Sequence, residues 1–184
     1  MPKDELSLYF IALIPPEPFL QHAGQWKEYF RDQYQSKASL NSPPHITLHM
    51  PFKLKQKRET ELVEKLQNVA NTLAPFPVEL EGFGAFPPRV IFIDVTESND
   101  LNMLQQSIKR QMKLEFQVFN ANYRERAFHP HITLAFRDLK KAQFHQAWSE
   151  FQHREVRYTW VAPHFTLLKH DSRRWQVFHN LSFK

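Results

Sequence analysis

The sequence predicts an α+β fold made of two similar α/β lobes facing one another, and three observations lead to it. The order strand, helix, strand, helix, strand can be followed twice along the chain. The string Pro-His-Ile-Thr-Leu occurs at residues 44–48 and again at 130–134, close to half the chain apart. No Gly- or Ser-rich linker separates the halves. The 184 residues, 42% of them hydrophobic, are therefore expected to form one domain over 1–184.

The first cycle opens with an apolar, β-branched run at 6–14 that stops at Pro15-Pro16 and reads as a buried strand. From 17 to about 35, Phe19, Leu20, Ala23, Trp26, Phe30 and Tyr34 recur near helical spacing, and 39–44 breaks that helix. Residues 45–52 alternate polar and apolar side chains as a half-buried strand does. A helix over 59–73 and a strand over 76–83 follow. The second cycle begins with a strand at 89–95 and continues with helical periodicity through Leu101, Leu104, Ile108 and Met112. The second pentapeptide then falls on a strand over 131–136. A helix over 140–151 and closing strands over 156–168 and 175–183 complete the pattern.

Composition removes several chemistries. There is no cysteine, so thiol nucleophiles, disulfides and thiolate-bound zinc are excluded. Only Gly24, Gly82 and Gly84 are present, and neither a phosphate-binding P-loop nor a dinucleotide fingerprint can be built from them. No Gly-x-Ser-x-Gly elbow exists. The net charge of +5 favours an acidic partner such as RNA or a nucleotide, although Lys and Arg are scattered. The start, Met1-Pro2-Lys3-Asp4-Glu5, is charged, and 6–14 is far shorter than the ~18 residues of a membrane span, so a cytoplasmic protein without membrane attachment is expected.

Histidine is abundant at ten copies, and the repeated string gives two of them a chemical context. Residues two apart on a strand share a face, so His45 projects with Thr47, and His131 with Thr133, while Ile46, Leu48, Ile132 and Leu134 enter the core. If the lobes face each other, two imidazoles and two hydroxyls meet in one cleft. That set suits in-line displacement at phosphorus, with one histidine taking a proton from the attacking oxygen and the other giving one to the departing oxygen. Thr47 and Thr133 would donate to the non-bridging oxygens. No metal or other cofactor is needed for this.

Other histidines compete for a role. A third, similar string, Pro163-His164-Phe165-Thr166-Leu167, falls where residues 80–83 fall in the first cycle, and His164 reads as an ordinary strand histidine. His49 shares the face of His45 by period two, and His129 precedes His131 by two, so these four could form a metal cluster, although no Asp or Glu joins them. Tyr9, Phe10, Phe52, Phe83, Phe86, Tyr123, Phe128 and Phe136 are expected mostly in the core, with one or two free to stack on a base. Arg89, Arg124, Arg126 and Arg137 are the basic candidates. Phe10, Phe52, Arg89, Arg126 and Phe128 are singled out as substrate contacts.

The paired His-x-Thr motifs resemble those of the 2H phosphoesterases, in particular the 2′-5′ RNA ligase and RNA 2′,3′-cyclic phosphodiesterase group. The likeness extends over Leu8-Tyr9-Phe10-Ile11-Ala12-Leu13, Gly82-Phe83-Gly84-Ala85-Phe86-Pro87, Arg89-Val90-Ile91-Phe92 and Phe128-His129-Pro130-His131. It implies lobes of antiparallel-rich sheet with outer helices around a central cleft. It also implies metal-free opening of 2′,3′-cyclic phosphates of RNA ends or small nucleotides to 2′-phosphates, with ligation as the reverse, and a monomer is expected. His45 would then be the proton donor to the 3′ oxygen and His131 the acceptor that activates water. Relatives often continue the second motif as Thr-Leu-Ala-Arg, whereas here Thr133-Leu134-Ala135 runs into Phe136, with Arg137 on the opposite face. A non-catalytic RNA or nucleotide binder on the same fold is the alternative.

Overall fold

The computed structural model describes residues 4–184, and Met1-Pro2-Lys3 of the charged start lie outside them. In chain order it contains β1 (Leu6–Leu13), α1 (Phe19–Tyr34), β2 (Ile46–Lys55), α2 (Glu59–Ala70), β3 (Phe76–Phe86), β4 (Val90–Val95), α3 (Asn99–Phe116), β5 (His131–Ala135), α4 (Lys141–Phe151), β6 (Arg157–Ala162), β7 (His164–His170) and β8 (Trp175–Ser182). The eight strands form one curled sheet in the order β6-β3-β4-β5-β2-β1-β7-β8, with every neighbouring pair antiparallel. The expected α+β class and antiparallel sheet are thus found. The two lobes are the two halves of this sheet, joined where β2 meets β5.

The strand pattern produces two unlike faces. Tyr9, Ile11 and Leu13 of β1, Ile46 and Leu48 of β2, Ile91 and Ile93 of β4, and Ile132 and Leu134 of β5 enter the main core. There they meet the helices, which bury Phe19, Ala23 and Phe30 of α1, Leu62 and Leu66 of α2, Leu104 and Ile108 of α3, and Phe144 and Phe151 of α4. Each of the Leu, Ile and Phe side chains is worth roughly 1.5–3 kcal/mol of burial, which is why the sheet holds its outer layer of helices. The opposite face carries a small second cluster, Phe10, Ala12 and Leu168 with Ile14 and Trp175. That face curls around the cleft.

The single closing strand expected over 156–168 is two strands. Pro163 cannot donate to a ladder, and at that residue the chain changes partners. Ala162 pairs with Phe76 of β3, whereas His164 pairs with Ser182 of β8. β6 lies at one edge of the strand order and β7 near the other, yet one residue joins them, so the sheet must curl to bring its ends together. β3 also crosses over: it follows the first motif in sequence but pairs with β4 of the second half, which ties the halves to each other.

Candidate active site

Ile46 of β2 and Ile132 of β5 are register partners in an antiparallel ladder, and both are fully buried on the helix side. Carrying that register one step each way sets His45 opposite Thr133 and Thr47 opposite His131. All four side chains therefore leave the cleft face around one point. Directly opposed pairs on a sheet have Cβ atoms about 4.5–5.5 Å apart and diagonal neighbours about 7–8 Å. The two histidines lie on a diagonal of this square, and the threonines on the other. A tetrahedral phosphate needs that kind of opening.

Both imidazoles are fixed by the same device. His45 Nδ1 lies 2.7 Å from the carbonyl oxygen of Pro43, and His131 Nδ1 lies 2.6 Å from that of His129, in each case two residues back. A carbonyl only accepts, so Nδ1 carries the hydrogen and Nε2 is left with its lone pair toward the cleft. Each ring also rests on a phenylalanine of the preceding strand, with centroids 4.7 Å apart for Phe10–His45 and 4.8 Å for Phe92–His131. Those rings are in turn edged by Trp175 on Phe10 and Phe86 on Phe92.

The loop that delivers His45 is fastened to the other motif strand. Asp138, just after β5, accepts from the Ser36 hydroxyl and from the amides of Lys37 and Ala38. The Ser39 hydroxyl donates to the Leu134 carbonyl of β5 at 2.7 Å. Lys27 of α1, only 2% exposed, sends its ammonium to the carbonyls of Ser39 at 2.8 Å and Ser42 at 2.9 Å. Burial draws its proton affinity down to about 7, because the charge has carbonyl dipoles but no carboxylate as compensation.

The halves differ electrostatically. Burial, then the Lys27 charge, pushes the His45 imidazolium down to about 3. His131 is also lowered by burial, against which the His129 carbonyl and, more weakly, Asp94, its register partner on β4, both act. Asp94 Oδ1 lies 3.2 Å from Nε2 of His129, which stands beside His131. Both histidines are thus neutral at pH 7, and His131 is the more basic of the two by its neighbourhood.

His49 does not join them. Register shifts in the β1–β2 ladder flank His49, so the period-two projection from His45 fails there. Its ring is fully buried and set edge-on to Phe52, with Nδ1 on the Met50 carbonyl and Nε2 without a partner. The four-histidine cluster is therefore not formed, and among the described residues no group of three or more His, Asp or Glu side chains is arranged to hold a metal ion. Phe52 likewise belongs to the main core, stacked on Tyr9, and is not brought to the cleft. Phe128 packs partly buried against that core. Phe10 lies beneath His45, buried rather than free to stack. Arg89 is exposed on the β3–β4 turn, and Arg126 is exposed near the Tyr123 ring, before the second motif. Thr47 and Thr133 are half-buried at the corners described above.

Asp94 and Lys27 were not singled out from the sequence, although each left a signal. Asp94 interrupts the apolar run Val90-Ile91-Phe92-Ile93, and Lys27 occupies the apolar stripe of α1 between Ala23 and Phe30. A charge in such a position needs a partner or a task.

Paired motifs on this sheet have counterparts among known proteins. The sequence model of the 2′-5′ RNA ligase superfamily matches residues 15–174. The chain belongs to that superfamily. A Geobacillus kaustophilus relative named as a phosphoesterase is 28% identical over 173 residues, covering 92% of each chain. A Geobacillus thermodenitrificans relative with the same naming is 29% identical with the same coverage. Among solved structures, Escherichia coli LigT complexed with 3′-AMP superposes with a TM-score of 0.73 at 18% identity, over 98% of this chain and 99% of that one. The TT0787 protein of Thermus thermophilus gives 0.69 at 21% identity, over 96% and 97%. These structural likenesses establish a shared fold, and the superfamily member described here is of the 2H phosphoesterase kind. Among the described residues no helix is long and apolar enough to cross a membrane.

Proposed function

We propose that this superfamily member opens 2′,3′-cyclic phosphates, at RNA ends or on small nucleotides, to 2′-phosphates without a metal ion. The observation that carries the reading is the square of His45, Thr47, His131 and Thr133 around the Ile46–Ile132 pair. In the forward reaction His131 Nε2 takes a proton from water as its oxygen attacks phosphorus. The bond from phosphorus to the 3′ oxygen breaks in line, and His45 gives that oxygen its proton. The Thr47 and Thr133 hydroxyls donate to the non-bridging oxygens as charge accumulates. With a 5′ hydroxyl in place of water as the attacking group, the same forward steps, ending in loss of the 3′ oxygen, make a 2′-5′ bond.

The neighbourhoods favour this division of labour. Asp94 makes His131 the better acceptor, while Lys27 and burial make a protonated His45 the stronger acid. An anionic phosphate in the cleft supplies the charge that lets His45 hold a proton before it is transferred. The net charge of +5 and the 3′-AMP named for the LigT structure support a nucleotide-type substrate.

The test is turnover of 2′,3′-cyclic nucleotides and of a short RNA with a cyclic end, in excess EDTA, with His45→Ala and His131→Ala alongside. A 2′-phosphate produced by the wild type alone supports the reading. Binding of RNA without turnover, unaffected by loss of both histidines, would instead identify a nucleotide-binding protein, and activity abolished by EDTA would overturn metal independence.

A further inference from the structure

The third His-x-Thr string is not part of the square, but its histidine and threonine lie on the same face of the sheet. His164 and Thr166 open β7, and their side chains lie on the cleft face with Leu168, whereas Phe165 and Leu167 enter the main core. Ala12 pairs with Thr166 on one side of β1 and with Thr47 on the other. Two residues along, Ile14 therefore stands between His45 and His164 in one row across the sheet. At about 4.8 Å per strand, His164 lies about 10 Å from His45, on the side away from His131.

A cavity of about 290 Å³ opens at that position, lined by Ile14, His164, Thr166, Val177 and Asn180 and backed by Trp160. Its size is near the lower end of small-ligand sites, which run from ~300 Å³ upward. That suits one nucleoside and not a length of chain. Its lining suits the same occupant: Ile14 and Val177 offer apolar walls for a flat base. The Thr166 hydroxyl donates to Asn180 Oδ1 at 2.9 Å, which turns the amide and leaves its NH₂ as a donor. The His164 ring has burial as its only perturbation and no hydrogen bond holding it.

From this arrangement we infer that the cavity beside His45 is the subsite for the nucleoside bearing the reacting phosphate, with His164 and Asn180 contacting its base. The inference rests on the proposed cyclic phosphodiesterase reading and extends it to the substrate: recognition acts on the terminal nucleoside, and the rest of an RNA strand lies outside. His164 is then a binding residue, with no part in proton transfer.

The experiment compares adenosine 2′,3′-cyclic phosphate with methyl riboside 2′,3′-cyclic phosphate, which lacks a base, in wild type, His164→Ala, His164→Gln and Asn180→Ala. The expected result is that kcat/KM for the adenosine compound relative to the baseless one falls about tenfold in the alanine variants, chiefly through KM, the loss of one or two hydrogen bonds. His164→Gln, which keeps a donor and an acceptor, should recover part of it. Equal losses on both substrates, or no change in the ratio, would overturn the subsite while leaving the reaction intact. If the wild type turns over neither compound, the reaction has failed, and titration with 3′-AMP followed at the His164 imidazole NMR signals decides the subsite separately. A shift there supports it, and unmoved signals at saturation reject it.

Discussion

His45 and His131 hold their Nδ1 hydrogens against the carbonyl oxygen two residues upstream, at 2.7 and 2.6 Å, and each ring leans on the phenylalanine of the neighbouring strand. The likeness of the two motifs thus extends beyond their letters to the tautomer. Both Nε2 atoms are thereby left with their lone pairs as acceptors.

Removal of either ring should slow turnover steeply. His45→Ala and His131→Ala are each expected to lose about 10²–10⁴-fold in kcat, the usual contribution of a positioned acid or base. Thr47→Val and Thr133→Val should each cost up to about 10²-fold, since one donor to the developing charge goes. Steady-state kinetics on a cyclic nucleotide decides this, and wild-type rates in either histidine variant would dismiss the pair.

The pH profile should lie toward acid. His45 is held at about 3 and His131 below its usual value, so in the free enzyme the singly protonated pair is populated on the acidic side of neutrality. kcat/KM should therefore fall as pH rises from 6 to 8, while kcat, reporting the phosphate-bound state, should peak at higher pH. The same shift acts on stability. The unfolded histidine binds a proton near 6.5 and the folded His45 only near 3, so stability present above 6.5 is lost as pH drops through that window. Activity and melting temperature measured across pH 4–8 test both signs.

Asp94→Asn removes one of the two groups, with the His129 carbonyl, that oppose the lowering of the His131 proton affinity. The limb of the pH profile belonging to the better base should move further toward acid, with turnover at pH 7 down about tenfold if that base limits the rate. An unmoved profile would mean that Asp94 serves only to hold His129.

Lys27→Met leaves the Ser39 and Ser42 carbonyls without their donor, and the loop carrying His45 should lose its setting, with kcat reduced more than KM is raised. The buried ammonium also has a pH signature. Its folded value of about 7 lies below the unfolded 10.5, so the unfolded chain binds more protons between the two and the wild type gains stability as pH rises from 7 to 10. The variant should lack that gain in chemical denaturation.

Gly84→Ala tests the phenylalanine support. A Cβ at Gly84 would overlap the edge of the Phe92 ring, which has to shift, and His131 rests on that ring. Turnover should drop while the fold, followed by circular dichroism, is retained. Full activity would show that Phe92 does not fix the imidazole.

The element order up to the closing strands, the two motif strands and the shared face of each His-x-Thr pair are legible in the chain alone, because strand period and a repeated pentapeptide are local properties. The remaining features depend on contacts between distant segments. Residues 156–168 read locally as one strand, but the chain breaks at Pro163, and which strands Ala162 and His164 join depends on how far the whole sheet curls. His49 was assigned to the cleft by strict alternation, and the irregular β1–β2 register sent it to the core beside Phe52. Asp94 and Lys27 acquired their meaning from neighbours far away in the chain, since a charge takes its chemistry from what surrounds it after folding.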